Sequence, residues 1–578
     1  MRGLTLLLAL IALPGCGLAL ADVDGGLSNQ CSATSECGPA ATCSDNQCIS
    51  TSSDLAGLVL LFDIPATSRF APASSIAFSA SDLGLEVEGD DPNGYSLSPS
   101  VVIPALVETT ASLTVSPLTD ACAPLVNESN QFPASFEFYP RSDIIGLPLG
   151  SYALDTSGAD VETPSVMLPP GRYDIYIVPQ IPADSNEPCF LPPTLLYAQN
   201  IEGGQIEVDV NLGQPQSVSG KIEGLDIDGW TLDIVDNANG RLISTSQSLS
   251  GNAAAFDLLA YEDLLKGEAS DALLRLSPST EAQSAGMPVV LWNISAIDLS
   301  GSYQELALDL SDLASSPVQT ISGQVVEINT SVAVSGATVS IQSDKLLDGN
   351  FGKNAAYKTH VTTDETGGFS VSLLPGDYTV TASPSGNPDY SVTTATWTIS
   401  TDDLGGGRTI ELLPKAIVNG SVSTPQGASA AQVNCQLRPT VTRGLTYLED
   451  VLLTTSSPPH ATSTSTNNNG GFAIESDHGD YDFTLQPSSS SGYPWRLVPR
   501  LSITENMALG VQRLAAPVRI QALIRTPNGD IIAGASVRAW LPAPVSTTNV
   551  APSAIQIGEA IANANGSFEL LLPPSLSP

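Results

Sequence analysis

One line of this chain fixes the kind of fold open to it. Thr363-Asp364-Glu365-Thr366-Gly367-Gly368-Phe369-Ser370-Val371-Ser372-Leu373-Leu374-Pro375-Gly376-Asp377-Tyr378-Thr379-Val380 carries two strands and two turns in sequence. Phe369, Val371 and Leu373 alternate with polar residues, Pro375-Gly376 turns the chain, and Tyr378, Val380 and Ala382 alternate again. Period two with one apolar face is the mark of half-buried strands. Pieces of the line recur in Gly470-Gly471-Phe472 with Gly479-Asp480-Tyr481, in Gly566-Ser567-Phe568 with Leu572-Pro573-Pro574, and in Leu168-Pro169-Pro170-Gly171-Arg172-Tyr173. The expected architecture is all-β, a tandem array of Greek-key β-sandwiches.

A length of 578 residues suits several separate cores. The 60 acidic against 21 basic residues leave a net charge of −39, which repels polyanions and excludes nucleic acid as a partner. With 42% hydrophobic residues the chain has enough apolar material to fold, despite its many Ser, Thr, Gly and Pro.

The leader sets the compartment. Arg2 followed by the apolar run Leu4 to Leu13 and then small residues reads as a secretory signal, too short to span a membrane. Leu13-Pro14-Gly15-Cys16 resembles a bacterial lipobox, which would lipidate Cys16, whereas Ala19-Leu20-Ala21 before Asp22 is an ordinary cleavage site. Both readings place the protein outside the cytoplasm, with any membrane attachment made through lipid. Cys31, Cys37, Cys43 and Cys48 crowd a Gly/Ser/Asn-rich segment with no core of its own, so two disulfides are expected there, in any of three connectivities. Cys122 and Cys189 are expected to form a third bridge, and Cys435 falls on the apolar face of a strand as a buried thiol.

The repeats open on a strand of the type Val-x-Gly-x-Val, seen at Val218 to Ile222, Ile321 to Val325 and Val418 to Val422, with a variant at Ile520 to Ile524. Expected segments are a leader over 1–21, a cysteine-rich stretch over 22–50, an N-terminal region over 51–215 holding one enlarged or two small sandwiches, repeats over 216–317, 318–414 and 415–517, and a final repeat over 518–578 that lacks its last strands. Gly323 to Val325, Gly336-Ala337-x-Val339, Thr363-Asp364-x-x-Gly367-x-Phe369 and Leu374-Pro375-Gly376-x-Tyr378-x-Val380 resemble the carboxypeptidase regulatory-like domain. That resemblance is good over Val318 to Pro414, fair over Lys415 to Pro517 and weaker elsewhere. It implies transthyretin-like sandwiches serving as accessory or spacer modules, and brings no catalytic residues.

Candidate chemistry is sparse. His360, His460 and His478 show no metal-ligand spacing, and no nucleophile elbow or phosphate loop occurs, so no catalytic residue, cofactor or metal ligand is assigned. Calcium is the one cation to weigh, at Glu86-Val87-Glu88-Gly89-Asp90-Asp91 and at Leu225-Asp226-Ile227-Asp228-Gly229, although neither is a complete calcium loop. Trp292, Trp397 and Trp495 could serve a sugar platform, but Trp397 shares parity with Ala395 and Ile399, which favours the core. Lys221 is similar to the isopeptide-forming lysine of adhesin sandwiches, yet Gln324, Ser421 and Gln521 stand at the matching positions. The expected function is that of a non-catalytic exported bacterial surface protein, a stalk or interaction module meeting a surface polysaccharide or an envelope protein. A carbohydrate- or calcium-dependent adhesin and the accessory part of a hydrolase assembly are the alternatives.

Overall fold

The structure, a computed structural model, describes residues 41–44, 47–50 and 58–573 apart from 67–73, 80–82, 84, 88–93, 98–99, 118, 120–121, 128–130, 143–145, 158–163, 181–188, 262–271, 295–305, 348–353, 386–388, 402–406, 441–442, 445–446, 449–451, 453–457, 543–549 and 552–553. The chain divides into two units after Ser53. In the first, Ala41–Ser44 pairs with Gln47–Ser50, which sets Cys43 opposite Cys48 in the hairpin register. Cys16, Cys31 and Cys37 lie outside the described residues.

The second unit repeats one seven-strand topology. In the segment with the opening motif, Gln319–Glu327 runs antiparallel to Gly368–Leu373 and parallel to Arg408–Leu412. Facing this three-stranded sheet is a row ordered Asn354–Thr362, Thr338–Leu346, Gly376–Ser383 and Thr393–Ile399. Phe369, Val371 and Leu373 from one sheet and Val339, Ile341, Tyr378, Val380 and Trp397 from the other fill the space between them. The Phe369 and Trp397 rings lie 6.1 Å apart and nearly parallel, joining the layers.

Three sequence features explain why the segment folds this way. The glycine of Val-x-Gly-x-Val sits directly opposite a phenylalanine: Gly220 faces Phe256, Gly323 faces Phe369 and Gly420 faces Phe472. A Cβ on Gly323 would stand 2.1 Å from the Phe369 ring, so the aromatic occupies the space that the missing side chain leaves. Asp364 accepts hydrogen bonds from the Thr366 and Gly368 amides, which closes the hairpin, with Gly367 at φ 71°. Asn467 and Asn563 repeat this turn before Phe472 and Phe568. The Tyr378 hydroxyl donates to the Leu374 carbonyl at 2.8 Å, and Tyr173 donates to Pro169 at 2.6 Å, pinning the strand start to the turn four residues earlier.

Sandwiches of the same strand order are built from Val107–Val115 through Gln205–Leu212, from Gln216–Glu223 through Leu306–Asp309, and from Ala416–Ser423 through Met507–Arg513. The fifth is assembled from both parts of the chain. Val518–Arg525, Ser536–Pro542, Ala554–Ile561 and Ser567–Leu572 provide four of its strands. The remaining positions are taken by Val59–Ile64, antiparallel to Ser536–Pro542, by Ser74–Ser79 beside it, and by Gly94–Leu97 with Val101–Val102, parallel to Val518–Arg525. Strand for strand this matches the other four. Its core mixes Leu58, Leu60, Phe62 and Ile76 with Ile520, Val537, Phe568 and Leu570. The strands that 518–578 lacks in sequence therefore come from the start of the second unit, and the strands of 51–215 are divided between two sandwiches. Leu60, Leu61 and Phe62 are all buried, as befits a strand with a neighbour on each side and both faces covered.

The sandwiches are joined by more than linkers. Val289–Asn293 pairs with Asn354–Thr362, so the rows of two successive sandwiches form one eight-stranded sheet over a shared core. Elsewhere side chains make the junctions: Tyr197 donates to Asp236, Tyr176 donates to the Leu242 carbonyl, and Arg241 lies 3.4 Å above the Tyr139 ring.

Candidate functional site

The residues singled out in the sequence separate into structural and surface groups. Cys122 and Cys189 are joined by a disulfide within the core of the 107–212 sandwich. Cys435 is a fully buried free thiol whose pKa is pushed up to about 12 by burial, leaving it protonated and unreactive at ordinary pH. Trp397 is buried in the core, Trp292 packs against the same core, and Trp495 is half-buried. The Trp397 ring is stacked on Phe369 between the layers. Lys221 is exposed and pairs with exposed Glu223, surroundings unlike the dry site that an isopeptide bond requires. Asp226 and Asp228 point outward on either side of buried Ile227, Glu86 lies in the strand Leu85–Val87, and residues 88–93 fall outside the description. Among the described residues no group of three or more His, Cys, Asp or Glu is gathered as a metal site would need.

One histidine does meet a buried carboxylate. Asp477, only 1% exposed, accepts from His460 through both the backbone amide (2.8 Å) and Nδ1 (2.7 Å), and from the Val392 amide at 3.2 Å. The hydroxyl nearest in the network, that of Ser391, is fully buried, accepts from the His478 amide and donates to the Val392 carbonyl. A nucleophile needs an open approach, and fully buried Ser391 has none. The cluster binds the loop around Ser391 to the next sandwich and is a junction. A second junction is formed by Arg275, whose guanidinium grips Asp233 at 2.9 and 2.8 Å and donates to the Tyr447 hydroxyl at 2.7 Å. Tyr447 arrives from the following sandwich but one and packs on Val235, Leu273 and Leu291.

A polar sheet face lies on the outer side of the four-stranded row from Asn354–Thr362 to Thr393–Ile399, exposed at His360, Thr394 and Thr396 and closed over Ser340 and Thr381. Val339 and Ile341 point into the core, so Thr338, Ser340 and Gln342 point away from it. Cross-strand register extends each into a row. One row runs His360, Ser340, Thr381, Thr394, and the next runs Lys358, Gln342, Thr379, Thr396. A bulge between Gln342 and Lys345 ends the regular pairing and opens a groove of about 390 Å³. Its walls include Gln342, Lys345, Asp377, Thr379, Thr396 and Thr398, and Thr398 donates to the Asp377 carboxylate at 2.7 Å. Partial burial holds the Lys358 ammonium below the ordinary lysine range. Ser340 is 2% exposed, and its hydroxyl lacks a hydrogen-bond partner. A second, broader depression of about 680 Å³ lies on the three-stranded face around Asn419, Ser421, Ala473 and Val511. Sequence reading missed the Thr face because each strand shows only alternating polar residues; the rows exist only once four strands are in register.

No family model matches the chain, and no curated protein matches it. The likeness to the carboxypeptidase regulatory-like domain thus stands on the quoted residues. Among solved structures, a streptococcal ancillary pilin aligns at 11% identity with a TM-score of 0.20, covering 52% of this chain and 98% of that one. The Bacillus anthracis TIE protein aligns at 12% identity and a TM-score of 0.15 over 66% of this chain and 69% of its own. A minor pilin of Streptococcus agalactiae aligns at 14% identity and a TM-score of 0.21 over 34% of this chain and 95% of its own.

Proposed function

We propose that the chain is an exported, non-catalytic interaction scaffold of the bacterial surface. The observation that carries this reading is the way the sandwiches are fused: a continuous eight-stranded sheet, carboxylate-tied junctions and a fifth sandwich shared by distant segments make a preorganised platform. Such an array presents fixed faces to a partner at little ordering cost. The leader motif supports export, with Cys16 as the lipid attachment point, and Cys31, Cys37, Cys43 and Cys48 as two disulfides in the segment behind it. Each of the segments 216–317, 318–414 and 415–517 acts as one sandwich, and the net charge of −39 keeps the array soluble and away from polyanions. The chain's last unit is closed by strands from residues 59–102. Presentation falls to the faces of the intervening sandwiches.

The test is antibody labelling of intact cells together with fractionation of the wild type and Cys16→Ser. The expected result is wild-type protein that is membrane-associated and labelled, and a variant released from the membrane. Protein retained in the cytoplasm in both would overturn the proposal.

A further inference from the structure

From the Thr-lined face of the 318–412 sandwich we infer a binding site for an extended, uncharged polysaccharide, an inference that rests on the interaction-scaffold reading and names its ligand class. The face is built from neutral hydrogen-bonding groups in a chain that is otherwise strongly acidic. Thr338, Gln342, Thr379, Thr394 and Thr396 each carry both donors and acceptors, and none of them carries charge. Lys358, His360 and Asp377 are the titratable groups on the two rows and in the groove wall, together with Asp344 and Lys345 at the bulge. This mixture suits hydroxyl groups, which donate and accept in equal measure, better than phosphate, sulfate or carboxylate groups. A polyanion would meet the field of the whole chain before it met the face.

Geometry sets the size of the ligand. Neighbouring strands are ~4.8 Å apart, close to the length of one pyranose unit, so a sugar chain crossing the strands places one ring over each. The groove of about 390 Å³ at the bulge lies within the volume range of ~300–1,000 Å³ usual for small-ligand sites and accepts the ring at one end of such a chain. Two hydroxyls of the row are already aligned, Thr381 Oγ1 lying 3.3 Å from Thr394 Oγ1. The unpartnered Ser340 hydroxyl beside them is nine-tenths buried on the same row, a polar atom that protein groups leave unsatisfied. No aromatic ring stands on the two rows, and Tyr378 and Trp397, which border the groove, are core residues, so affinity comes from many weak hydrogen bonds along a polymer and a free monosaccharide binds too weakly to detect.

The experiment is affinity electrophoresis of the full chain through gels containing neutral dextran, laminarin or xylan, with anionic alginate as the contrast. Retardation by at least one neutral polymer and none by alginate is expected. Thr394→Ala/Thr396→Ala/Thr398→Ala should lower the association constant at least tenfold, while Asn419→Ala/Ser421→Ala on the other depression leaves it unchanged. Near-ultraviolet circular dichroism of Trp397 checks that the triple variant keeps its core. No retardation by any neutral polymer, retardation by alginate alone, or equal retardation of the triple variant would overturn the inference. A chain found on the cell surface that binds no neutral polymer would sink this inference and leave the scaffold reading standing. A cytoplasmic chain that binds one would do the reverse.

Discussion

Phe62→Ala is the sharpest test of the shared sandwich. Phe62 is fully buried and meets two rings edge-on: Phe78 on the adjoining strand at 5.6 Å and Phe568, from the far part of the chain, at 6.0 Å. Truncating a buried phenylalanine costs about 3–5 kcal/mol. Since every 1.4 kcal/mol is tenfold, amide protection in the affected unit should fall by roughly two to three and a half powers of ten. Hydrogen exchange read by mass spectrometry should show that loss in Val518–Arg525 and Ser536–Pro542 as well as in Val59–Ile64, because all three share one core. Val107–Val115, in the neighbouring sandwich, should keep its protection. Adding Phe568→Ala should give a non-additive total, with a coupling of about 0.5–3 kcal/mol for side chains in contact. Loss of protection confined to residues 59–79, or strict additivity of the two truncations, would show that the early strands are an outer flap on a core able to stand without them.

Four further outcomes follow from contacts already described. Gly323→Ala forces a methyl group into the Phe369 ring and should cost about 1–3 kcal/mol in chemical denaturation, with Phe369→Leu in the same chain restoring most of it. Tyr378→Phe removes the hydrogen bond to Leu374 and should cost about 1 kcal/mol, read in chemical denaturation. Cys122→Ser/Cys189→Ser opens a link with a sequence separation of 67 and should cost about 2–4 kcal/mol, read as earlier melting of the 107–212 sandwich alone. Arg275→Ala leaves the Asp233 carboxylate buried without its cation and should cost about 3–5 kcal/mol, and restoring charge with Lys, which lacks the two-pronged fork, should recover only part of it.

Much of the sandwich architecture was readable because its determinants are local. The alternation of Phe369, Val371 and Leu373, the Asp364 turn and the Pro375-Gly376 break lie within one stretch of chain, and the structure uses each as the pattern implies. Pairing partners were a different matter. Nothing around Leu60 states that its neighbour is Ala539, because strand pattern specifies faces and leaves partners open. A signal did exist: residues 58–102 hold strands beyond the seven that 107–212 needs, and 518–573 is short by the same three positions. Counting strands against the repeat would have matched surplus to deficit. The Gly-Phe pairs were visible singly, as Val-x-Gly-x-Val and as Gly-Gly-Phe, but their opposition needs the register. The polar face was the least legible, since Thr on an outward strand position is ordinary and only four strands together turn it into rows. The expected terminal disulfides at Cys31 and Cys37 and the lipid at Cys16 fall outside the described residues.

The shared sandwich also orders events in time. A chain is made from its first residue onward, so Leu60, Leu61 and Phe62 emerge long before Val537 and Trp540 exist to receive them. Each intervening sandwich closes on strands from its own stretch and can form as it appears. The early strands cannot: Val59–Ile64 can pair with Ser74–Ser79 at once, but its other edge, the one that Ser536–Pro542 takes, stays open through most of synthesis, an edge of the kind that recruits other chains. Contacts this distant in sequence carry the largest closure entropy and form slowly. The sandwich whose first strands are made earliest is therefore the one that closes last.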